Sequence, residues 1–270
     1  MIKEISSPNN VLIKDIVQLL EKSRVRRKKE LFVIEGLREL LLAIQGGYEI
    51  EKVLYCEEIF SSNDLDQILG LKKKLNFELI KISLRIYQKL AHRKKTEGIL
   101  AIGKIKSLNL SNISLKKDPL ILVAEASEKP GNIGALLRTA DAANLDAVII
   151  ANPKTDVYNP NIIRSSVGCL FTNQIATGST EEILKFLKQN RVNIYAAALN
   201  EESIIYTRPD FRESSAIVVG TEDKGLSEKW LKESLEKIII PMEGKIDSLN
   251  VSVSAAILIF EAKRQRAQSF

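Results

Sequence analysis

Two hydrophobic patterns recur along this chain: short unbroken apolar runs, and longer stretches with an apolar residue every three or four positions. In SPNNVLIKDIVQLLE, Val11, Ile13, Ile16, Val17, Leu19 and Leu20 share one face and predict a helix over 7–21, capped at Ser7 with Pro8 in its first turn. LFVIEG predicts a strand over 31–34 that stops at Gly36; Leu37 to Ile44 predicts a helix closed by Gly46-Gly47. Further strands are expected at 53–56, 77–82 and 95–105, with helices at 65–75 and 86–90 between them. The polar stretch SLNLSNISLKKD at 107–118 has linker composition and ends before Pro119. Beyond it PLILVAEA, AVIIA (147–151), 192–198, 216–219 and 238–240 read as continuous apolar strands. Helical periodicity intervenes after Gly134, near 158–166, at 180–189 and at 227–235. Strands alternating with helices predict an α/β fold, with a parallel sheet covered on both faces in the second part.

The chain closes on IIIPMEGKIDSLNVSVSAAILIFEAKRQR. Pro241 stops a short strand, since proline cannot donate to a sheet ladder. A polar loop follows, and Val251, Ala255, Leu258, Ile259 and Ala262 then recur on one helix face. Asn250 stands at the N-cap, while Lys263, Arg264 and Arg266 crowd the end where the helix dipole favours cations. Pattern alone makes this the last strand and helix of an α/β domain.

Charge divides the 270 residues unevenly. Residues 1–106 hold 21 Lys and Arg against 14 Asp and Glu, the remainder 19 against 20, so the whole net charge of +6 is carried in front. The cations cluster at Lys22–Lys29 (including Arg24, Arg26, Arg27, Lys28 and Lys29), at Lys72–Lys74 and at Arg93–Lys95. Such a front attracts phosphate backbones through counterion release, a term blind to sequence. The lone His92, among these cations, reads as a surface or RNA-facing residue. Cys56 and Cys169 support neither a disulfide framework nor a zinc cluster. With no apolar run of the ~18 residues a membrane helix needs and no signal-peptide core at the start, a cytoplasmic protein with no membrane association is expected.

Three segments carry candidate chemistry, each at the carboxyl end of an expected strand, where ligands of open α/β sheets sit. The first is Asn132-x-Gly134-x-x-x-Arg138, in which Gly134 and Arg138 share a helix face. The second is Val219-Gly220-Thr221-Glu222-Asp223-Lys224-Gly225-Leu226-Ser227, and the third is Ile240-Pro241-Met242 followed by Ser248-Leu249-Asn250-Val251-Ser252. No G-x-G-x-x-G is present, so the usual dinucleotide fingerprint is absent. In this order and wording, the segments resemble the motifs of the SpoU branch of the SPOUT superfamily of RNA 2′-O-ribose methyltransferases, over roughly Leu120 to the C-terminus. The front part is similar, more loosely, to the substrate-binding domain that precedes many such enzymes.

The resemblance implies an RNA-binding domain of ribosomal-protein-like α/β fold at 1–106, a linker at 107–118, and a methyltransferase domain at 119–270 with a deep trefoil knot, joined in a homodimer through the knotted domain. It implies S-adenosylmethionine as cofactor, held by backbone groups at Leu199, Gly220, Ile240 and Leu249, and no metal. Asn132, Arg138, Glu222, Ser248 and Asn250 match the catalytic positions; Arg164, in NIIRSSVG, would face the RNA or the partner subunit's site. Ser254 and Asn144 depart from the commoner alanine and glycine. The expected activity is 2′-O-methylation of structured RNA, with rRNA ahead of tRNA. A non-catalytic RNA-binding or assembly factor on the same fold and a small-molecule methyltransferase are the rival readings.

Overall fold

The structure, a computed structural model, describes residues 2–91, 97–221 and 223–267. In chain order these form β1 (Lys3–Ile5), α1 (Val11–Glu21), α2 (Ser23–Lys29), β2 (Leu31–Glu35), α3 (Leu37–Gln45), β3 (Ile50–Tyr55), α4 (Ser62–Lys72), β4 (Glu78–Ile82), α5 (Leu84–Leu90) and β5 (Ile99–Lys104). After a short 3-10 turn at Leu110–Asn112 come β6 (Leu120–Glu125), α6 (Pro130–Ala142), β7 (Ala147–Ala151), α7 (Pro160–Ser165), β8 (Ile175–Gly178) and α8 (Thr180–Gln189). The last elements are β9 (Asn193–Ala197), β10 (Ile204–Ile205), β11 (Ser215–Val219), α9 (Glu228–Glu233), β12 (Glu236–Ile239) and α10 (Val251–Ala267). The expected elements recur with ends shifted by a few residues. The first helix is capped by Asn10, whose side chain accepts from the Leu12 N–H at 2.9 Å, in place of Ser7.

The chain forms two compact units, one of residues 1–106 with 156–172, the other of 107–155 with 173–270. In the first, a mixed sheet runs β1-β4-β3-β5-β2, with β1, β4 and β3 parallel and β5 antiparallel to both β3 and β2. Its core gathers Ile13, Ile16 and Leu19 of α1 and Ile86, Tyr87 and Leu90 of α5 against Leu54, Ile80 and Leu100 of the sheet. Segment 156–172 is built into this unit by aromatic packing. The Tyr158 and Phe171 rings lie 4.8 and 5.7 Å from that of Phe32, and Tyr158 exchanges hydrogen bonds with the Lys106 backbone.

The second unit holds a seven-stranded sheet in the order β10-β12-β9-β11-β6-β7-β8, parallel throughout. β6, β7 and β11, the expected apolar runs, are buried along their whole length. Trp230 of α9 and Ile183 and Leu187 of α8 cover one part of the sheet. α10 packs beside α6 and β11, burying Val251, Ala255, Leu258, Ile259 and Ala262 as its spacing predicted.

Candidate active site

Parallel packing brings the carboxyl ends of β12, β9 and β11 side by side, and a cavity of about 590 Å³ opens where they stop. Its walls are the strand ends at 197–200, 219–221 and 238–240, the loop carrying Met242 and Asp247 to Leu249, and Val251, Ser254 and Leu258 of α10. All four residues expected to hold a cofactor, Leu199, Gly220, Ile240 and Leu249, line it, and so does Ser248. Leu199 is 72% exposed at the mouth. The Ser248 hydroxyl donates to the Asp247 carboxylate at 3.2 Å.

The loop after β11 is drawn tight by its glycines. Thr221 and Gly225 exchange backbone hydrogen bonds at 3.2 and 3.0 Å, and Gly225 takes φ +63°, a left-handed turn that suits glycine. A Cβ on Gly220 would lie 2.2 Å from the Gly225 carbonyl carbon and oxygen, so this bend closes only with hydrogen at that position. The Lys224 N–H donates to the Thr221 hydroxyl at 3.2 Å.

Asn250 caps α10, its Oδ1 accepting from the Ser252 N–H at 3.0 Å and the Ser252 hydroxyl at 2.6 Å. Its Nδ2 donates to Oδ1 of Asn132 at 3.2 Å, which ties the third motif to the first across 118 residues of chain. Arg138 is exposed further along α6, with no ion pair among the described residues. Glu222 and Arg93 lie outside the described residues, as does His92.

On the first unit the expected RNA-facing cations divide. Arg24, Arg27, Lys28 and Lys29 are exposed on α2, and Lys29 pairs with Asp15 at 2.8 Å. Arg164 is exposed on α7, donating to Asn161 Oδ1 at 2.7 Å. Arg26 overturns its assignment. It is 2% exposed; its Nε meets Asp156 Oδ2 at 2.5 Å, and its Nη1 donates to the carbonyls of Leu19 and Leu20 at 2.7 and 3.2 Å. A guanidinium so consumed is a strut of the fold and offers nothing to a phosphate.

Several residues around the site carried no sequence signal. Glu125 ends β6 inside an apolar run, yet its buried carboxylate accepts from the Ser227 N–H (2.7 Å), the Ser227 hydroxyl (2.8 Å) and the Thr180 hydroxyl (3.1 Å). A lone acid closing an apolar strand at the ligand edge was the available clue. Lys154 and Lys224, 70 residues apart in the chain, line one cavity only through folding. Among the described residues no group of His, Cys, Asp and Glu could hold a metal ion, and no helix is long and apolar enough to cross a membrane.

The model of the SpoU rRNA Methylase family matches residues 119–260, and that of the MRM3-like substrate binding domain matches 10–101. The chain belongs to the SpoU rRNA methylase family. A relative of this SpoU chain, the 23S rRNA (guanosine(2553)-2′-O)-methyltransferase RlmP of Bacillus subtilis, is 28% identical over 97% of this chain and 99% of its own. A crystal structure of an RNA 2′-O ribose methyltransferase superposes with a TM-score of 0.84 at 37% identity, over 98% of this chain and 99% of that one. The AdoMet-bound rRNA methyltransferase from Sinorhizobium meliloti superposes with a TM-score of 0.89 at 25% identity, over 97% and 98% of the two chains.

Proposed function

We propose that this protein transfers a methyl group from S-adenosylmethionine to a ribose 2′-hydroxyl in structured RNA, with ribosomal RNA as the substrate. The observation that carries the reading is the Asn250–Asn132 hydrogen bond, which brings the first and third motifs together beside the cavity walled by the second and third. RlmP of Bacillus subtilis, aligned over nearly its full length, is an rRNA enzyme, which supports the choice of RNA. The cavity fits the cofactor. Its volume lies within the ~300–1,000 Å³ of small-molecule sites, Leu199, Leu226, Ile238 and Leu249 supply apolar surface, and three strand ends supply backbone polar groups. The absent side chain of Gly220 leaves the bend of this wall intact. When bound, S-adenosylmethionine supplies an already activated methyl, so the protein must align a hydroxyl and manage its proton.

In this reading Asn132 and Asn250 orient the hydroxyl, and Ser248 steadies the loop beside them. Arg138 holds a neighbouring phosphate and stabilises developing alkoxide charge. Glu222, by its position in the second motif, is assigned to the same reaction. Residues 1–106 bind RNA through Arg24, Arg27, Lys28, Lys29 and Arg93, with Arg164 adding a further cation; 107–118 link them to the methyltransferase part at 119–270. The C-terminal segment is threaded as a trefoil knot, the protein is a homodimer through that part, and it works in the cytoplasm.

Labelled-methyl transfer to unmodified rRNA and tRNA transcripts, followed by mass-spectrometric mapping, tests this. Label is expected on a single ribose of rRNA; label on a base, or no binding of S-adenosylmethionine by calorimetry, would overturn it. Arg138→Ala should lose turnover with cofactor Kd nearly unchanged. About tenfold weaker cofactor binding with normal turnover would remove Arg138 from its role.

A further inference from the structure

Every position of β6 is buried and all but its last are apolar; Glu125 ends the strand at 6% exposure. Placing a carboxylate there gives up its hydration, a cost that only nearby donors offset. Those donors are the hydroxyls of Thr180 and Ser227, both on Oε1, and the Ser227 N–H on Oε2. The carboxylate therefore bridges the start of α8 to the start of α9.

Ser227 forgoes an ordinary task to make these bonds. A serine at an N-cap normally accepts from a backbone N–H of the first turn. Ser179 does so for α8, accepting from the Glu182 N–H at 3.3 Å within a full capping box. Ser227, at the N-cap of α9, makes no side-chain capping bond; its hydroxyl is turned to Glu125 instead. What is held in this way is the tail of the loop after β11. Gly225 and Leu226, immediately before Ser227, line the donor cavity, and Gly225 exchanges backbone bonds with Thr221 and packs against Gly220. Neither Glu125 nor Ser227 lines that cavity. Position is thus passed from the carboxylate to Ser227, from there to Gly225, and so to the strand end at Gly220.

We propose that Glu125 is a positioning residue: its carboxylate, gripping Ser227, keeps the loop from Gly220 to Leu226 in the shape that walls the donor cavity. The inference rests on the methyl-transfer reading for the identity of the donor, and it names a residue outside the three motifs on which donor binding depends. Thr180 shares Oε1 with the Ser227 hydroxyl but belongs to α8, which contributes nothing to the cavity walls. The two sides of the network are therefore separable. Cutting the Thr180 bond lowers stability; cutting the bonds to Ser227 lowers donor affinity as well.

The test uses the full-length protein, with S-adenosylhomocysteine as the calorimetric probe at a temperature where the variants are folded. Glu125→Ala should raise the probe's Kd about tenfold and leave the Kd for an rRNA transcript within about twofold. Ser227→Ala, which keeps the N–H bond, should raise the probe's Kd about threefold. Glu125→Gln retains an acceptor for the Ser227 N–H and offers an amide donor to the two hydroxyl oxygens, so it should recover most of the affinity. Thr180→Val should lower the urea midpoint and leave the probe's Kd in place. Unchanged probe affinity in Glu125→Ala, or an equal loss in Thr180→Val and Ser227→Ala, would reduce Glu125 to a structural residue and overturn the inference. Should Glu125→Ala fail to fold, the comparison of Ser227→Ala with Thr180→Val decides the matter. A second arm needs no ligand. Amide hydrogen exchange at Gly225 and at position 227 should quicken about tenfold in Glu125→Ala or Ser227→Ala and stay put in Thr180→Val. Exchange unchanged in all three refutes the clamp even if methyl transfer is intact. Wild-type protein that binds no S-adenosylhomocysteine, with exchange quickened in the variants, would instead sink the proposed function and leave the clamp standing.

Discussion

An alanine at position 220 would press its methyl to 2.2 Å from the Gly225 carbonyl. Backbone on both sides leaves no flexible neighbour to yield, so Gly220→Ala should cost about 1–3 kcal/mol of stability and abolish measurable donor binding. Thermal unfolding and calorimetry would check the two effects; unimpaired donor binding would mean that the bend is dispensable. A different test separates Arg26 from its neighbours. Arg26→Ala strands the Asp156 carboxylate in a buried setting and should cost about 3–5 kcal/mol in urea unfolding. Arg27→Ala, an exposed change, should stay within about 0.5 kcal/mol and reduce the salt slope of RNA binding by roughly 0.9 if it touches one phosphate. The sequence marked Gly220 by motif but not by reason, because the atom that forbids a side chain belongs to Gly225 in the folded loop. It ranked Arg26 with five other cations, because the partner that buries it lies 130 residues away.

Among the elements, those whose apolar pattern is set locally were legible: α8 occupies Thr180–Gln189 as expected, and α10 buries the predicted face. The edge strand β8, Ile175–Gly178, was not, since two apolar residues between polar neighbours show no period. The strand β9 carries a testable titration. Tyr195 is 2% exposed, packs edge-on to Phe211 at 4.7 Å and donates to the Asp210 carbonyl at 2.9 Å. Burial first, then the acids Glu236, Asp210 and Glu213, push its phenol up to about 12. A folded pKa above the unfolded value of about 10 means that this contribution to stability is whole below pH ~10 and is lost as pH rises through ~12. Tyr195→Phe should therefore lower stability by about 1 kcal/mol at neutral pH and flatten the alkaline decline. Urea midpoints across that window, compared between the two proteins, would show it; parallel curves would place the titration elsewhere.

For the whole molecule, the expectation of a partner copy has a surface to answer to. α10 bears a second apolar stripe, with Val253 and Phe260 exposed at 45% and 51% and Ala256 and Ile257 half-buried between them. The homodimer proposed above would bury this stripe, so Phe260→Glu should bring the sedimentation coefficient down to the monomer's in sedimentation velocity; an unchanged coefficient would place the proposed contact off this helix. That residues 156–172 fold with the front unit was beyond the reach of pattern, since nothing local says which core an aromatic side chain will join. The short loop after β11 is a wall common to two cavities, since Gly220, Thr221 and residues 223–226 border both. Any movement that a molecule in one cavity imposes on this septum reshapes the other, and linkage requires the effect to be mutual.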